Sequence, residues 1–485
     1  MGQKTAGYGR RESVVEDMTV SHPTFAVVGH PNKGKSSIVS TLAFDDTVQI
    51  SDTPGTTTKK RSFPLTVDGK VLYELFDTPG FQRARSVLAW LQKHEVTADK
   101  RPEVVQAFIN EHRDNPRFND EIELLEPIMN GAGIIYVVDG SKPYGEEYEA
   151  EMEILRWTGQ PSMALINLID DTNYVEEWKR ALGQYFKMVR LFNPMKATFP
   201  QHLSLLESIA QLKEEWIAPV NESIRLFKVY HEQMFERTTQ SITRLLHQSL
   251  AHVERLPIRS EEATEAEKTL VLERYKAKLR TYEEVSQHRV EQIWHHENLE
   301  KAQQALLFDG MDLFSKESAS LFGLSRKELL LTGATGGAVT GAGVDLLLGG
   351  STLFLGSAIG AVVGGTSAFF GFSELSDVKV LGQKLGKKYL EAGPMKNVNF
   401  PYILLNRALF HAVKIAQRSH AIRDKVVLEM GRDFTDLWMD DPLRKSLEKY
   451  HKLFRSGDEV KPEMLKEYEQ LIETVLKRLI DRNVL

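Results

Sequence analysis

Gly29-His30-Pro31-Asn32-Lys33-Gly34-Lys35-Ser36 has the residue types and spacing to hold a phosphate. Glycines at its first and sixth positions let the backbone curl, so that successive N–H groups converge on one anion. The loop follows a short β-branched run, TFAVV (24–28), and leads into a helical pattern whose N-terminal dipole favours the same negative charge. Lys35 would reach the β- and γ-oxygens of a nucleotide, and the Ser36 hydroxyl would bind Mg2+.

Two further groups extend this chemistry. Asp77-Thr78-Pro79-Gly80 closes the run VLYELF (71–76), where an aspartate can hold Mg2+ through water and a glycine N–H can meet a γ-phosphate. Asn167-Leu168-Ile169-Asp170 ends the run SMALIN (162–167). A carboxylate at Asp170 can accept from two donors on a guanine edge, which adenine does not offer. The loop by itself serves ATP and GTP alike.

The positions of these groups require a scaffold. Besides TFAVV, VLYELF and SMALIN, the runs GIIYVV (133–138) and MVRLF (188–192) read as strands, with helix-like segments between most of them. That alternation predicts a parallel α/β sheet. Residues 81–130 are long for one connection and carry helical periodicity of their own, so a helical insertion is expected there. From about 201 the pattern becomes helical, with apolar residues three and four apart and charges between them. Pro257 reads as a break between helices, and helical periodicity resumes near 378. The expected organisation is a flexible tail (1–21), an α/β domain (22–200), a helical region (201–328), a glycine-rich hairpin (329–372) and a second helical region (373–485).

Composition sets bounds on function. The 485 residues carry 61 basic and 67 acidic side chains, a net charge of −6, which gives no global reason to expect DNA or RNA as a partner. The absence of cysteine excludes disulfides, thiolate metal sites and cysteine nucleophiles. The N-terminal segment lacks the apolar core of a secretory signal, and Ala6 stands where a myristoylation motif wants Ser or Thr.

The set GHPNKGKSS, TPGTTT, DTPG and NLID resembles the translation-factor class of GTPases, specifically the Era and TrmE branch, over roughly residues 22–200. The resemblance implies an α/β P-loop GTPase domain with a mostly parallel sheet and helices on both faces, binding GTP or GDP with Mg2+. It assigns phosphate contacts to Gly29, His30, Pro31, Asn32, Lys33, Gly34, Lys35, Ser36 and Ser37, metal contacts to Ser36, Thr57 and Asp77, and base contacts to Asn167, Asp170 and Asn193. Thr57 lies at the branch's switch-threonine distance past the loop, with Thr56 and Thr58 beside it as alternatives. Catalysis falls to Asn32, Lys35, Thr57 and Gly80. In this branch an asparagine at the Asn32 position helps hold a potassium ion beside the β- and γ-phosphates; a loop residue tolerant of left-handed geometry is the simpler reading.

The chain departs from the pattern at three places. Leu168 replaces the lysine whose stem packs on the base. Asn193-Pro194-Met195-Lys196 stands where the family has a Ser-Ala-Lys-like loop, and Pro194 has no N–H to offer the base. These two leave ATP, or relaxed base specificity, as the alternative to guanine. Phe81 occupies the position directly after DxxG at which many GTPases carry a water-orienting glutamine, and Gln82 comes one residue later. Slow intrinsic hydrolysis is therefore expected, with acceleration by homodimerisation through the GTPase domain or by a partner.

The segment 329–372 has 44 residues and a single charge, Asp345. Gly333, Gly337 and Gly341, then Gly356, Gly360 and Gly364, recur every fourth residue, and Gly349-Gly350 marks a turn between two halves of about 20 residues. Small residues at this spacing suit closely packed membrane helices, and equally a buried soluble hairpin. Arg326, Lys327, Lys379 and Lys384 flank it, as expected for a hairpin with both ends in the cytoplasm. Trp294-His295-His296-Glu297 with His288 reads as a solvated or partner-facing helix surface rather than a metal site, and YILLNRALFHAVKIAQRSHAIRD (402–424) as core packing with a basic opposite face. The primary expectation is a bacterial regulatory GTPase, cytoplasmic and associated with the inner membrane, with membrane lipid or a membrane protein as partner. The alternatives are a dynamin-like membrane-remodelling GTPase and, ranked last, a ribosome-assembly factor; RNA or a ribosome is not expected as a partner.

Overall fold

The computed structural model describes residues 22–43, 61–67, 70–170, 173–259, 263–296, 312–315, 318, 322, 379–382, 388–418 and 434–481. Thr57 and the hairpin 329–372 lie outside the described residues. The chain divides into two compact units, one drawn from residues 1–35, 51–192 and 203–224, the other from 36–50, 193–202 and 225–485.

The first unit is built on a six-stranded sheet. Its strands are β1 (Thr24–Val28), β2 (Arg61–Val67), β3 (Lys70–Asp77), β4 (Gly133–Asp139), β5 (Ser162–Asn167) and β6 (Val189–Leu191), in the order β2-β3-β1-β4-β5-β6. All pairings are parallel except β2 with β3. β1, β4 and β5 are buried nearly throughout, which is why they read as continuous apolar runs. The antiparallel β2 was not expected. It is an edge strand, RSFPLTV, in which Phe63 and Leu65 are buried between exposed Ser62, Pro64 and Thr66; Pro64 inside it and an irregular register at Leu65/Thr66 weaken the strand signal.

After α1 (Lys35–Ala43), whose residues from Ser36 on fall in the second unit, the stretch between β3 and β4 holds three α-helices: α2 (Ala84–Leu91), α3 (Arg101–His112) and α4 (Asn119–Met129). Val87, Leu91, Val105, Phe108, Ile122 and Leu125 join them to one core with Ala26, Val28 and Ile134 of the sheet. α5 (Glu147–Trp157) and α6 (Val175–Leu182) pack into the same core through Met152, Leu155 and Trp178. Two longer elements follow, α7 (Phe199–Ala210) and α8 (Glu214–Ala251).

The second unit is mainly helical around β7 (Glu254–Ile258), α9 (Glu265–Ile293), β8 (Lys379–Gly382), β9 (Lys388–Ala392), α10 (Phe400–Gln417), α11 (Asp441–Ser456) and α12 (Pro462–Asp481). A capping box of Thr264 with Glu267 starts α9. Three differences from expectation arise here. Pro257 sits within β7 instead of merely separating helices, and residues 379–382 and 388–392 are strands, the three forming an antiparallel sheet in the order β7-β9-β8. Pro257 is tolerated because β7 is an edge. The Trp294 end of α9 is only partly a solvated face: His288 and His295 are exposed, but Trp294 and His296 are buried, and Trp294 Nε1 donates to Thr238 Oγ1 at 3.0 Å. α10 is buried on all sides rather than basic on one. Its Arg407 forks onto Glu283 of α9, Nε to Oε1 at 2.5 Å and Nη2 to Oε2 at 3.1 Å.

Candidate nucleotide site

The parallel register sets β1, β3, β4 and β5 with their carboxyl ends along one edge of the sheet: Val27 lies beside Asp77, Val28 beside Tyr136, and Asp139 beside Asn167. The motif loops after β1, β3 and β5 therefore emerge together. β1 is also where connections leave to opposite sides of the sheet, the place at which open α/β sheets hold ligands.

Gly29 opens the loop at φ 144°, and a Cβ there would stand 2.4 Å from the Val137 carbonyl oxygen. Gly34 takes φ 84°, and its Cβ would meet Asn167 Nδ2 at 2.4 Å. Any side chain at either place would fill the cradle and strain the backbone. Between them Asn32 is exposed at φ 60°, a left-handed conformation that asparagine tolerates. Asn167 Nδ2 donates to the Lys33 carbonyl at 3.3 Å, so the end of β5 braces the loop.

Lys35 is buried, and its Nζ donates back across the loop to the His30 carbonyl at 3.0 Å. Burial lowers its pKa from 10.5 to about 8, opposed by the carboxylates of Asp77 and Glu151. Asp77 is buried at the end of β3, and Thr78 Oγ1 donates to the Val27 carbonyl at 2.8 Å, tying the two motifs together. Gly80 abuts the loop, where a Cβ would lie 2.7 Å from Pro31 Cδ. Phe81 is buried in the core shared with the insertion, far from any role in orienting water.

Asp170 is exposed, with its Oδ2 3.2 Å from Lys142 Nζ. Leu168 is partly buried against the core of the first unit. In the second unit, Asn193 Oδ1 accepts from the Met195 N–H at 2.9 Å, and Thr41 Oγ1 donates to the Pro194 carbonyl at 3.1 Å. Ser36 and Ser37 lie in the first turn of α1 and are partly exposed. The glycine cradle, the buried ammonium of Lys35 and the acidic end of β3 fit a phosphate and a divalent cation.

One site residue was missed. Glu151 on α5 is buried, with Oε1 2.8 Å from His30 Nδ1, and Tyr136 Oη donates to Oε2 at 2.9 Å. Burial, then the Glu151 carboxylate, raises Tyr136 well above the usual phenol range. The available signal was a charge on the apolar side of a helix, between Tyr148, Met152 and Leu155.

Comparison with known proteins agrees with this geometry. Residues 24–168 match the family model described as 50S ribosome-binding GTPase, and residues 179–477 match that described as a domain of unknown function (DUF3482). Over 237 residues the chain is 25% identical to the GTPase Der of Azoarcus sp., covering 49% of this chain and 45% of that protein. It is 42% identical over 71 residues to the GTPase Der of Herminiimonas arsenicoxydans, covering 15% and 16%. The chain thus spans about half the length, 45%, of the first of these relatives. An Aquifex aeolicus Era structure bound to GDP·AlF4− aligns at 13% identity over 56% of this chain and 88% of that one, with a TM-score of 0.27, too low to carry an argument. The first unit is therefore a P-loop GTPase domain of the Era-like class. The second match covers more than half of the chain, which belongs to the DUF3482 family.

Proposed function

We propose that the chain binds GTP and GDP with Mg2+, hydrolyses GTP slowly, and uses its nucleotide state to switch the helical region that follows. The observation that carries this reading is the convergence of the glycine loop, DTPG and NLID at one edge of the sheet. The loop N–H groups and Lys35 would hold the β- and γ-phosphates; Ser36 and Asp77, with Thr57, would hold the metal. When bound, the metal neutralises charge on the phosphates as they separate. The Gly80 N–H would meet the γ-phosphate, and Lys35 would leave the His30 carbonyl for it. Asn32, at the exposed crest of the loop, would hold a potassium ion in this reading, and Asp170 would exchange Lys142 for the guanine edge. Equilibrium binding of GTP, GDP and ATP to the full chain tests the reading, and equal affinity for ATP would overturn the guanine assignment. Identical hydrolysis in potassium and sodium at matched ionic strength would reduce Asn32 to a loop residue.

We also infer membrane association, on the composition of 329–372 alone. Among the described residues no helix is long and apolar enough to cross a membrane. Fractionation of the full chain beside one lacking 329–372 decides this. A second reading has a specific observation in its favour: the matching GTPase family is described as ribosome-binding, and the curated relatives are named Der. The expectation that excluded RNA and ribosomes finds no support in those matches. Co-sedimentation with ribosomes in either nucleotide state tests that alternative.

A further inference from the structure

We propose that Glu121 is a positioning residue that latches the segment after Gly80 to the helical insertion, so that γ-phosphate contact at Gly80 is preorganised by α4 and carried to it. The proposal rests on the nucleotide reading above. Glu121 is on α4 and fully buried. Its Oε1 accepts from two consecutive backbone N–H groups, Gln82 at 3.0 Å and Arg83 at 2.6 Å. Its Oε2 is buried with no hydrogen-bond partner among the described residues.

Burying a carboxylate is costly unless charge-assisted hydrogen bonds offset it. Here they come from the Gln82 and Arg83 amides, immediately ahead of α2. α2 has no side-chain cap of its own at Arg83. The bond from Arg83 joins residues 38 positions apart, so it tethers the start of α2 to α4. On the same helix, burial raises the Asp120 carboxyl, with Arg83 opposing and Glu123 adding to the shift.

The same short segment is held at every residue. Gly80 rests on Pro31 of the phosphate loop, Phe81 is buried in the core that α2, α3 and α4 share, and the next two amides are on Glu121. Displacing Gly80 therefore either moves α4 or breaks those bonds. The spare oxygen of Glu121 is a ready acceptor for amides that have shifted.

The test uses the full chain with GDP and a non-hydrolysable GTP analogue. In the unmodified protein, hydrogen exchange of α4 and of the Gln82 and Arg83 amides should differ between the two nucleotides. Glu121→Ala should weaken the GTP analogue about tenfold, the size of one charge-assisted hydrogen bond, with GDP binding within about twofold. Glu121→Gln, which keeps one acceptor, should fall between. An unchanged ratio of the two affinities with only a lower melting temperature makes Glu121 a merely structural tether and overturns the proposal. Identical α4 exchange with both nucleotides overturns it also, without any variant that must fold. Failure of the unmodified chain to bind either nucleotide would remove the nucleotide reading itself, and the latch with it.

Discussion

Two buried cations, one in each unit, are handled in opposite ways. Lys35 has a backbone carbonyl for its partner, and burial has pulled its pKa to about 8. Arg407 forks onto Glu283 and adds a hydrogen bond to Ser318 Oγ at 3.1 Å. The first cation donates to a neutral carbonyl, with Asp77 and Glu151 offsetting only part of its burial, so an arriving phosphate has something to gain; the second is closed by the protein and can only support structure. Burial alone does not mark a functional charge. What marks it is the quality of the partner the fold supplies.

The largest effect expected from this contrast is in the second unit. Arg407→Ala leaves a buried Glu283 without its cation and should cost about 3–5 kcal/mol in denaturant unfolding. Arg407→Met with Glu283→Leu should recover most of that loss, as an apolar pair often replaces a buried ion pair without cost. Next, Lys35→Ala should weaken GTP and GDP by about 100-fold or more in equilibrium binding, roughly 3 kcal/mol, while leaving unfolding of the chain little changed. A comparable loss of fold stability at both sites would erase the distinction.

Asp170→Asn should lower GTP affinity by roughly tenfold or more and favour xanthosine triphosphate, whose edge offers the reversed pattern. Competition binding reads the reversal directly, and loss of GTP without gain of the xanthine nucleotide would argue against base reading at Asp170.

The remaining effects are in pH, and the two units should respond at opposite ends of the scale. Lys35 binds phosphate as a cation, so nucleotide affinity should fall above about pH 8 rather than near 10.5. Unfolding returns the amine to its ordinary value, so between those limits the unfolded chain binds more protons and the nucleotide-free domain gains stability as pH rises. In the second unit, burial lowers His231 to about 4 and His451 to about 3. Both are held neutral by the fold, so stability present above pH 6.5 is lost as pH falls below it, by up to about 1.4 kcal/mol per pH unit per histidine. Denaturant midpoints across pH 4–10 check both windows.

Legibility in the sequence followed distance along the chain. β1 and β5 were read at their observed bounds, because strands buried on both faces announce themselves as short apolar runs. The phosphate loop and DTPG were equally plain, since each motif is contiguous and its geometry is carried by its own glycines. β7, β8 and β9 were not legible: each is four or five residues long, and β7 pairs with residues more than 120 positions away. Glu151 and Glu121 were missed for the same reason, as their partners lie 121 and 38–39 residues off. Each nevertheless left a trace, a carboxylate on the inward face of an amphipathic helix, and such residues merit a search for a backbone or loop that needs them.

The edges of the six-stranded sheet bear on how this domain meets a second copy of itself. A free strand edge is a template on which another chain can add by backbone pairing. Here β2 carries Pro64, which has no N–H to donate, and its register breaks at Leu65/Thr66, while β6 at the other edge is three residues long. Neither edge offers the long, flat row of donors and acceptors that continuous pairing requires. Self-association by sheet extension is thereby discouraged at both ends, and a dimer of this domain would have to form through side-chain surfaces, its helix faces and loops, instead of through backbone pairing.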